Sequence, residues 1–217
     1  MSNDRLRLHT ADGIATITMD DGKVNAMDND WFRLMLDMLD EVEASDATAL
    51  VIKGRDGVFS GGLNIKWLPT MTPTEATRFF QLFPATLKRV YNFSKPTVAQ
   101  VTGHAIAGGC ILACACDRRA AISGMNVAMN EVRVNMTIPE WAIDIILDAL
   151  PAPQAKKMLK FGDPVLTDDL VMWHVFDAVC DNAEDLEDTV DVILKSFEGI
   201  SGPDFAGTKA RVRDILR

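Results

Sequence analysis

Two stretches of the sequence place adjacent glycines where a strand-like run gives way to a helix-like one: Gly61-Gly62 in GVFSGGLNIKWL and Gly108-Gly109 in HAIAGGCILA. Glycine in a helix costs roughly 0.5–1 kcal/mol relative to alanine, so a pair at a helix start needs a reason. Without Cβ atoms, such a segment presents bare backbone N–H donors, and two of them can hold one developing oxyanion between them. The alternative is packing, because glycine also relieves crowding where a strand turns closely into a helix. Spacing alone leaves both open. Three of the four cysteines, Cys110, Cys114 and Cys116, share one apolar segment, and Cys180 stands apart. Their spacing matches no paired zinc pattern, so they read as buried, reduced thiols packing as small hydrophobes, and no metal site is expected.

The elements that must position these glycines follow from patterning. Leu6-Arg7-Leu8 and Ala15-Thr16-Ile17-Thr18-Met19 alternate as half-buried strands do, with Asp12-Gly13 as the hairpin turn. Leu34, Met35, Met38, Leu39 and Val42 keep helical spacing behind an N-cap at Asp28 or Asn29. ATALVIKG and PTVAQVTG are continuous apolar runs, the mark of strands covered on both faces. Between them, Thr74 to Val90 predicts an amphipathic helix broken or bent at Pro84. A helix is expected from about Gly108, then short strands near AAISG and NVAMN, then helices near Pro139, Pro153, Thr167, Asn182 and Pro203. Strands alternating with helices make an α/β protein.

With 217 residues, 48% of them hydrophobic, the chain suits one large domain. A net charge of −9 argues against a nucleic-acid surface. The N-terminal residues lack the apolar core of a secretory signal, and no apolar run approaches the ~20 residues that cross a bilayer. A soluble cytoplasmic protein without a membrane partner is the expectation.

Four blocks in order, KVNAMD (Lys23–Asp28), GVFSGGLNIKWL, KPTVAQVTGHAIAGGCILACACDRRAA and NEVRVNMTIPEWA (Asn130–Ala142), resemble the crotonase, or enoyl-CoA hydratase/isomerase, superfamily. The segment FGDPVLTDDLVMWHVFDAV is also similar to the family's turn-helix-strand, so the resemblance covers about the first 180 residues. It implies a spiral of ββα units with a short C-terminal helical region. The core would span 1–150, and a helical segment 151–217 of the same domain would serve oligomerisation. It further implies an acyl-CoA thioester as substrate, no cofactor beyond the coenzyme A the substrate carries, and a homotrimer or dimer of trimers. Carried over by position, the N–H groups of Leu63 and Gly108 would bind the thioester oxygen, with Gly108 and Gly109 bare so that the thioester can approach. Val24, Asn25 and Ala26, with Gly61, Gly62, Leu63, Asn64 and Ile65, would line the adenine and pantetheine path. Lys66 would meet a phosphate or remain a solvated lysine.

The departures narrow the reaction. A hydratase of this family carries two glutamates, one to activate water and one to manage the alpha proton. The first position here is Ile111, and the second is Glu131. One carboxylate suffices to move a proton from the alpha to the gamma carbon of a 3-enoyl thioester, which is delta-3,delta-2-enoyl-CoA isomerase chemistry. Without the resemblance, Glu131 reads as a surface carboxylate paired with Arg133. Glu140 and Asp144 open the next helix, and a contribution from either would restore hydration as an activity. The same scaffold also accommodates hydrolase or decarboxylase chemistry, or a catalytically silent acyl-CoA-binding paralogue. His104 is expected to be a structural hydrogen-bonding residue, and His174 to occupy a helix end that needs positive φ.

Overall fold

The computed structural model describes residues 5–200 and 202–215. The chain opens with a hairpin, β1 (Leu6–Ala11) and β2 (Ile14–Met19), whose turn residues Asp12 and Gly13 have φ of 50° and 75°. Helix α1 (Asn29–Ala44) starts at an Asp28 side chain that accepts the Trp31 amide, and it buries Phe32, Met35, Leu39 and Val42 on one stripe.

A repeat then sets in. Strands β3 (Ala49–Lys53) and β4 (Gly57–Ser60) lead to helix α2 (Pro73–Tyr91). Strands β5 (Thr97–Val101) and β6 (Gly103–Ile106) lead to α3 (Gly108–Ala115). Strands β7 (Arg118–Ile122) and β8 (Asn126–Ala128) lead through a 3-10 turn at Glu131–Val134 to α4 (Glu140–Ala149). Each unit gives its first strand to one sheet and its second to another, which is the spiral of ββα units that the resemblance implies. The remainder is α5 (Ala152–Phe161), β9 (Val165–Leu166), α6 (Thr167–Met172), β10 (Ala178–Cys180), α7 (Ala183–Lys195) and α8 (Pro203–Ile215).

Among the described residues, the larger sheet has the order β1-β2-β3-β5-β7-β10, parallel except for the hairpin. Four strands, β4-β6-β8-β9, form the other, with β9 antiparallel. Segment 151–217 is therefore not purely helical: it adds an edge strand to each sheet. The apolar runs of β3 and β5 are buried on both faces, as parallel strands demand. Their inner residues join α1, α2 and α3 in the main core, while Val51, Val98 and Ala120 meet Leu186, Val190 and Ile193 of α7.

Pro84 does not interrupt α2, which is continuous from Pro73 to Tyr91. The Thr72–Glu75 capping box secures its start. Phe79 and Phe83 on one face stack 5.5 Å apart and meet Phe32 of α1, so the residues flanking the proline are held by packing that outweighs one missing hydrogen bond. His174 has φ of 58°, as its position at the end of α6 required. No helix among the described residues is long and apolar enough to cross a membrane.

Candidate active site

A cleft of about 850 Å³ opens between the residue 21–26 loop, the segment after β4, and the 3-10 turn after β8. Its first wall is built around Asp21, whose carboxylate accepts the amides of Lys23 (2.7 Å), Asn25 (2.8 Å) and Ala26 (3.1 Å). Asn25 lies beneath this wall. It is buried with φ of 51°, and its side-chain amide donates to the carbonyls of Met19 and Phe59 at 3.0 Å each. Asparagine tolerates that left-handed conformation. The expectation that Asn25 lines a ligand path is thus corrected, because it bolts the loop to β2 and β4, while Val24 and Ala26 do face the cleft.

The second wall, Gly61 to Lys66, is laced to the first. Gly61 N donates to Val24 O (2.7 Å), Met27 N to Gly62 O (2.8 Å) and Asn64 N to Met27 O (2.9 Å). In this parallel bridge the peptide N–H of Leu63 points the other way, and it has no acceptor among the described residues. Leu63, Asn64, Ile65 and Lys66 line the cleft with Gly61. Trp67, which no sequence signal singled out, joins them.

The floor is Ile106 and Ala107, directly before α3. Ala107 has φ of 51° and ψ of −117°, a conformation that L-residues other than glycine rarely hold and that clusters at functional sites. Its own amide is spent on Ala128 O (2.7 Å). The following amide, Gly108 N–H, is one of the unsatisfied donors of the helix's first turn. It lies at the positive end of the helix dipole. The two glycine arms touch here: a Cβ built on Gly62 would lie 2.7 Å from Gly108 N, and one on Gly108 would lie 3.7 Å from Leu63 N.

Those distances correct the expected role of one glycine. A Cβ on Gly109 would stand 2.2 Å from Ser60 O, so Gly109 is bare to let α3 pack against β4 and does not face a ligand. Gly62, with φ of 79°, and Gly108 are bare because the arms meet. The glycines thus differ in what they accommodate: Gly109 lets α3 pack on β4, and Gly62 and Gly108 let the segments carrying the Leu63 and Gly108 amides approach each other.

Glu131 opens the 3-10 turn and lines the same cleft at 9% exposure. Its Oε2 is buried with no hydrogen-bond partner. Burial pushes its carboxyl above the ordinary glutamate range, partly opposed by a bond from its own backbone amide. Arg133 turns away, donating from Nε to Gly162 O at 2.9 Å and pairing with Asp163, so the surface pair expected from sequence does not form. On α3, the buried Cys110 thiol is raised chiefly by its hydrogen bond with Cys114 and by burial, with the nearby Glu131 adding to the effect. Ile111 is also buried there. Glu140 and Asp144 are exposed on α4 and form no part of the lining. His104 accepts the Asn126 amide at Nδ1 (2.9 Å), joining β6 to β8 as a structural residue.

The fold and sequence have close counterparts. An apo structure of the Mycobacterium tuberculosis enoyl-CoA isomerase superposes with a TM-score of 0.90 at 30% identity, covering 100% of this chain and 93% of that one. An enoyl-CoA hydratase from Mycobacterium marinum gives 0.88 at 28%, covering 98% and 92%. The crotonyl-CoA hydratase of Syntrophomonas wolfei is 28% identical over 173 residues, 78% of this chain and 66% of its own. The chain spans about half to two thirds of the length of the curated relatives it matches. The enoyl-CoA hydratase/isomerase family model matches residues 9–202, and the chain belongs to that family.

Proposed function

We propose that the protein shifts the double bond of a 3-enoyl-CoA thioester to give the 2-enoyl-CoA, with Glu131 as the only proton carrier. The Glu131 carboxylate takes a proton from the alpha carbon as that C–H bond breaks, and the electrons delocalise onto the thioester oxygen. The N–H groups of Leu63 and Gly108 hold the resulting dienolate oxygen, each worth roughly 3 kcal/mol of transition-state stabilisation. Glu131 then returns the proton to the gamma carbon, so no water is consumed and the carboxylate is regenerated. A base that must also act as an acid works best with a pKa near the operating pH, and the desolvation of Glu131 moves it that way.

The observation that carries this reading is the state of the cleft's carboxylates. Asp28 is tied to Arg5 through both oxygens and caps α1, and Asp21 is occupied by the loop amides. Glu131 alone among the lining carboxylates is left without a cation or a turn to serve. A hydratase needs a second acid, and the buried position on α3 that would supply it is Ile111. The substrate's coenzyme A would follow the path along Val24, Ala26 and Gly61 to Ile65, with Lys66 and Lys23 at the mouth for its phosphates. The assembly in this reading is a homotrimer or a dimer of trimers. A paired assay tests the reaction: turnover of 3-enoyl-CoA should far exceed hydration of crotonyl-CoA. Efficient hydration without isomerisation would restore a two-acid mechanism, and binding of CoA esters without turnover would indicate a silent paralogue.

A further inference from the structure

No side chain among the described residues pairs with the buried Glu131 Oε2 to aim it. This oxygen is unpartnered, and among the described residues no side chain hydrogen-bonds the carboxylate. The carboxylate is therefore as well placed as the backbone turn that carries it. That turn is closed internally by Arg133 N to Asn130 O (2.9 Å) and Met136 N to Glu131 O (2.9 Å), with Asn135 left-handed at φ of 58°. At its base, the β8–β9 ladder pairs Asn126 with Leu166 and Val127 with Val165.

The exposed side of the turn is held by the loop ending α5. Arg133 Nε donates to Gly162 O and its Nη2 pairs with Asp163, 30 residues along the chain. Gly162 is seated directly on the turn. A Cβ there would lie 3.1 Å from Val132 Cγ2, 3.2 Å from Asn130 Cα and 3.3 Å from Arg133 Cγ, and its φ of 64° already favours glycine. We infer that Arg133, clamped to Gly162 and Asp163, is a positioning residue for Glu131, fixing the turn from outside while the carboxylate faces the cleft. This rests on the reading of Glu131 as the base. An ion pair with both side chains about half exposed adds little to global stability. Misplacing a catalytic group by about 1 Å, in contrast, can cost 10²-fold in rate. The clamp should therefore be visible in turnover and nearly invisible in melting.

The test measures kcat, KM and thermal midpoint on 3-enoyl-CoA for Arg133→Ala, Arg133→Lys, Gly162→Ala and Glu131→Gln. Lys53→Ala serves as control, since Lys53 pairs with Glu187 at 3.2 Å on the surface and takes no part in the cleft. Arg133→Ala should lower kcat about 10–100-fold with KM within about twofold and the midpoint almost unmoved. Arg133→Lys should recover part of the loss, because an ammonium can still reach the carbonyl or carboxylate. Gly162→Ala should lower kcat from the other side of the clamp, and Lys53→Ala should leave it unchanged. Arg133→Ala at wild-type kcat, beside an inactive Glu131→Gln, would overturn the positioning role and leave the base assignment standing. So would a loss in Arg133→Ala matched by a fall in midpoint and not recovered by lysine. Full turnover by Glu131→Gln would remove the base assignment and this inference with it.

Discussion

Replacing Gly62 with alanine separates the two functions ascribed to the glycine arms. Left-handed backbone costs an alanine roughly 1–2 kcal/mol. The new methyl would meet Gly108 N at 2.7 Å, Ile106 O at 2.8 Å and Ala107 Cβ at 3.0 Å, all of them atoms fixed to the main chain. Overpacking of this kind costs roughly 1–3 kcal/mol. The sum, about 2–5 kcal/mol, corresponds in a chain of this size to a midpoint lowered by roughly 5–20 °C. In the folded fraction the methyl pushes apart the arms carrying Leu63 and Gly108, and loss of one donor should cost about 10²–10³ in kcat. Gly108→Ala should be milder, because its nearest atoms, Met27 Sδ at 3.1 Å and Gly62 Cα at 3.3 Å, stand farther off than those facing Gly62, and its φ is not left-handed. Gly109→Ala should be the most destabilising, with Ser60 O at 2.2 Å. Thermal melts by circular dichroism, with kcat measured below all midpoints, check the series. A Gly62→Ala protein melting within about 2 °C of wild type, or one keeping full kcat, would refute the convergent-arm argument.

Glu131→Gln keeps the shape and removes the basic oxygen, so kcat should fall about 10²–10⁴ while calorimetry shows CoA-ester affinity nearly unchanged. Because the Glu131 pKa is raised by burial, the ascending limb of kcat/KM against pH should inflect above the free glutamate value of about 4.3. The stability sign follows from the same shift: Glu131 favours the folded state at low pH, and that contribution is lost as pH rises from the unfolded through the folded pKa, a pH dependence that melts of Glu131→Gln should lack. Asp117→Asn strips the counter-charge from Lys209 (2.8 Å) and Arg213 (3.2 Å), both buried, and should cost about 3–5 kcal/mol. It should also expose residues 203–215 to hydrogen exchange, since these two residues tie α8 to the core. Light scattering at micromolar concentration should give the mass of three or six chains, and a single-chain mass would end the trimer reading.

Where backbone pattern follows from local physics, the sequence was legible. The hairpin, the apolar strands β3 and β5 and the capped start of α1 could all be read, because alternation, continuous burial and N-caps are local signals. The division into two sheets reached the sequence only through resemblance. Strand-like character was legible at GVFS and NVAMN, but strands β4, β6, β8 and β9 are only two to four residues long, and nothing local says which sheet each joins. What assigns each to its sheet is the neighbour, a long-range pairing that no window contains. Pro84 failed as a break signal for the same reason, since tertiary packing of Phe79 and Phe83 overrode a local preference.

At the site, residue types were legible, but the partners that decide their roles were not. Asn25 and Gly109 stand among lining residues in sequence yet face inward, because whether a residue lines a wall or supports it depends on which backbone lies behind it, here Phe59 and Ser60. Ala107 offered no signal, since nothing about an alanine announces a φ of 51° imposed by its flanking strand and helix. Glu131 and Arg133 show the limit most clearly. Two residues apart in sequence, they invite an ion pair that would have held the carboxylate charged and unavailable as a proton carrier. The arginine instead bonds to a loop 30 residues onward, and the buried glutamate has no counter-charge among the described residues. The chemistry assigned to Glu131 thus depends on a contact Arg133 makes elsewhere. Asp163→Ala leaves only the Gly162 carbonyl to hold that arginine, which should let its guanidinium sample positions nearer Glu131 and lower the carboxyl's pKa. The ascending limb of the pH profile should then move to lower pH, with a smaller kcat on the plateau. A profile identical to wild type would show that the arginine's partner has no bearing on the base.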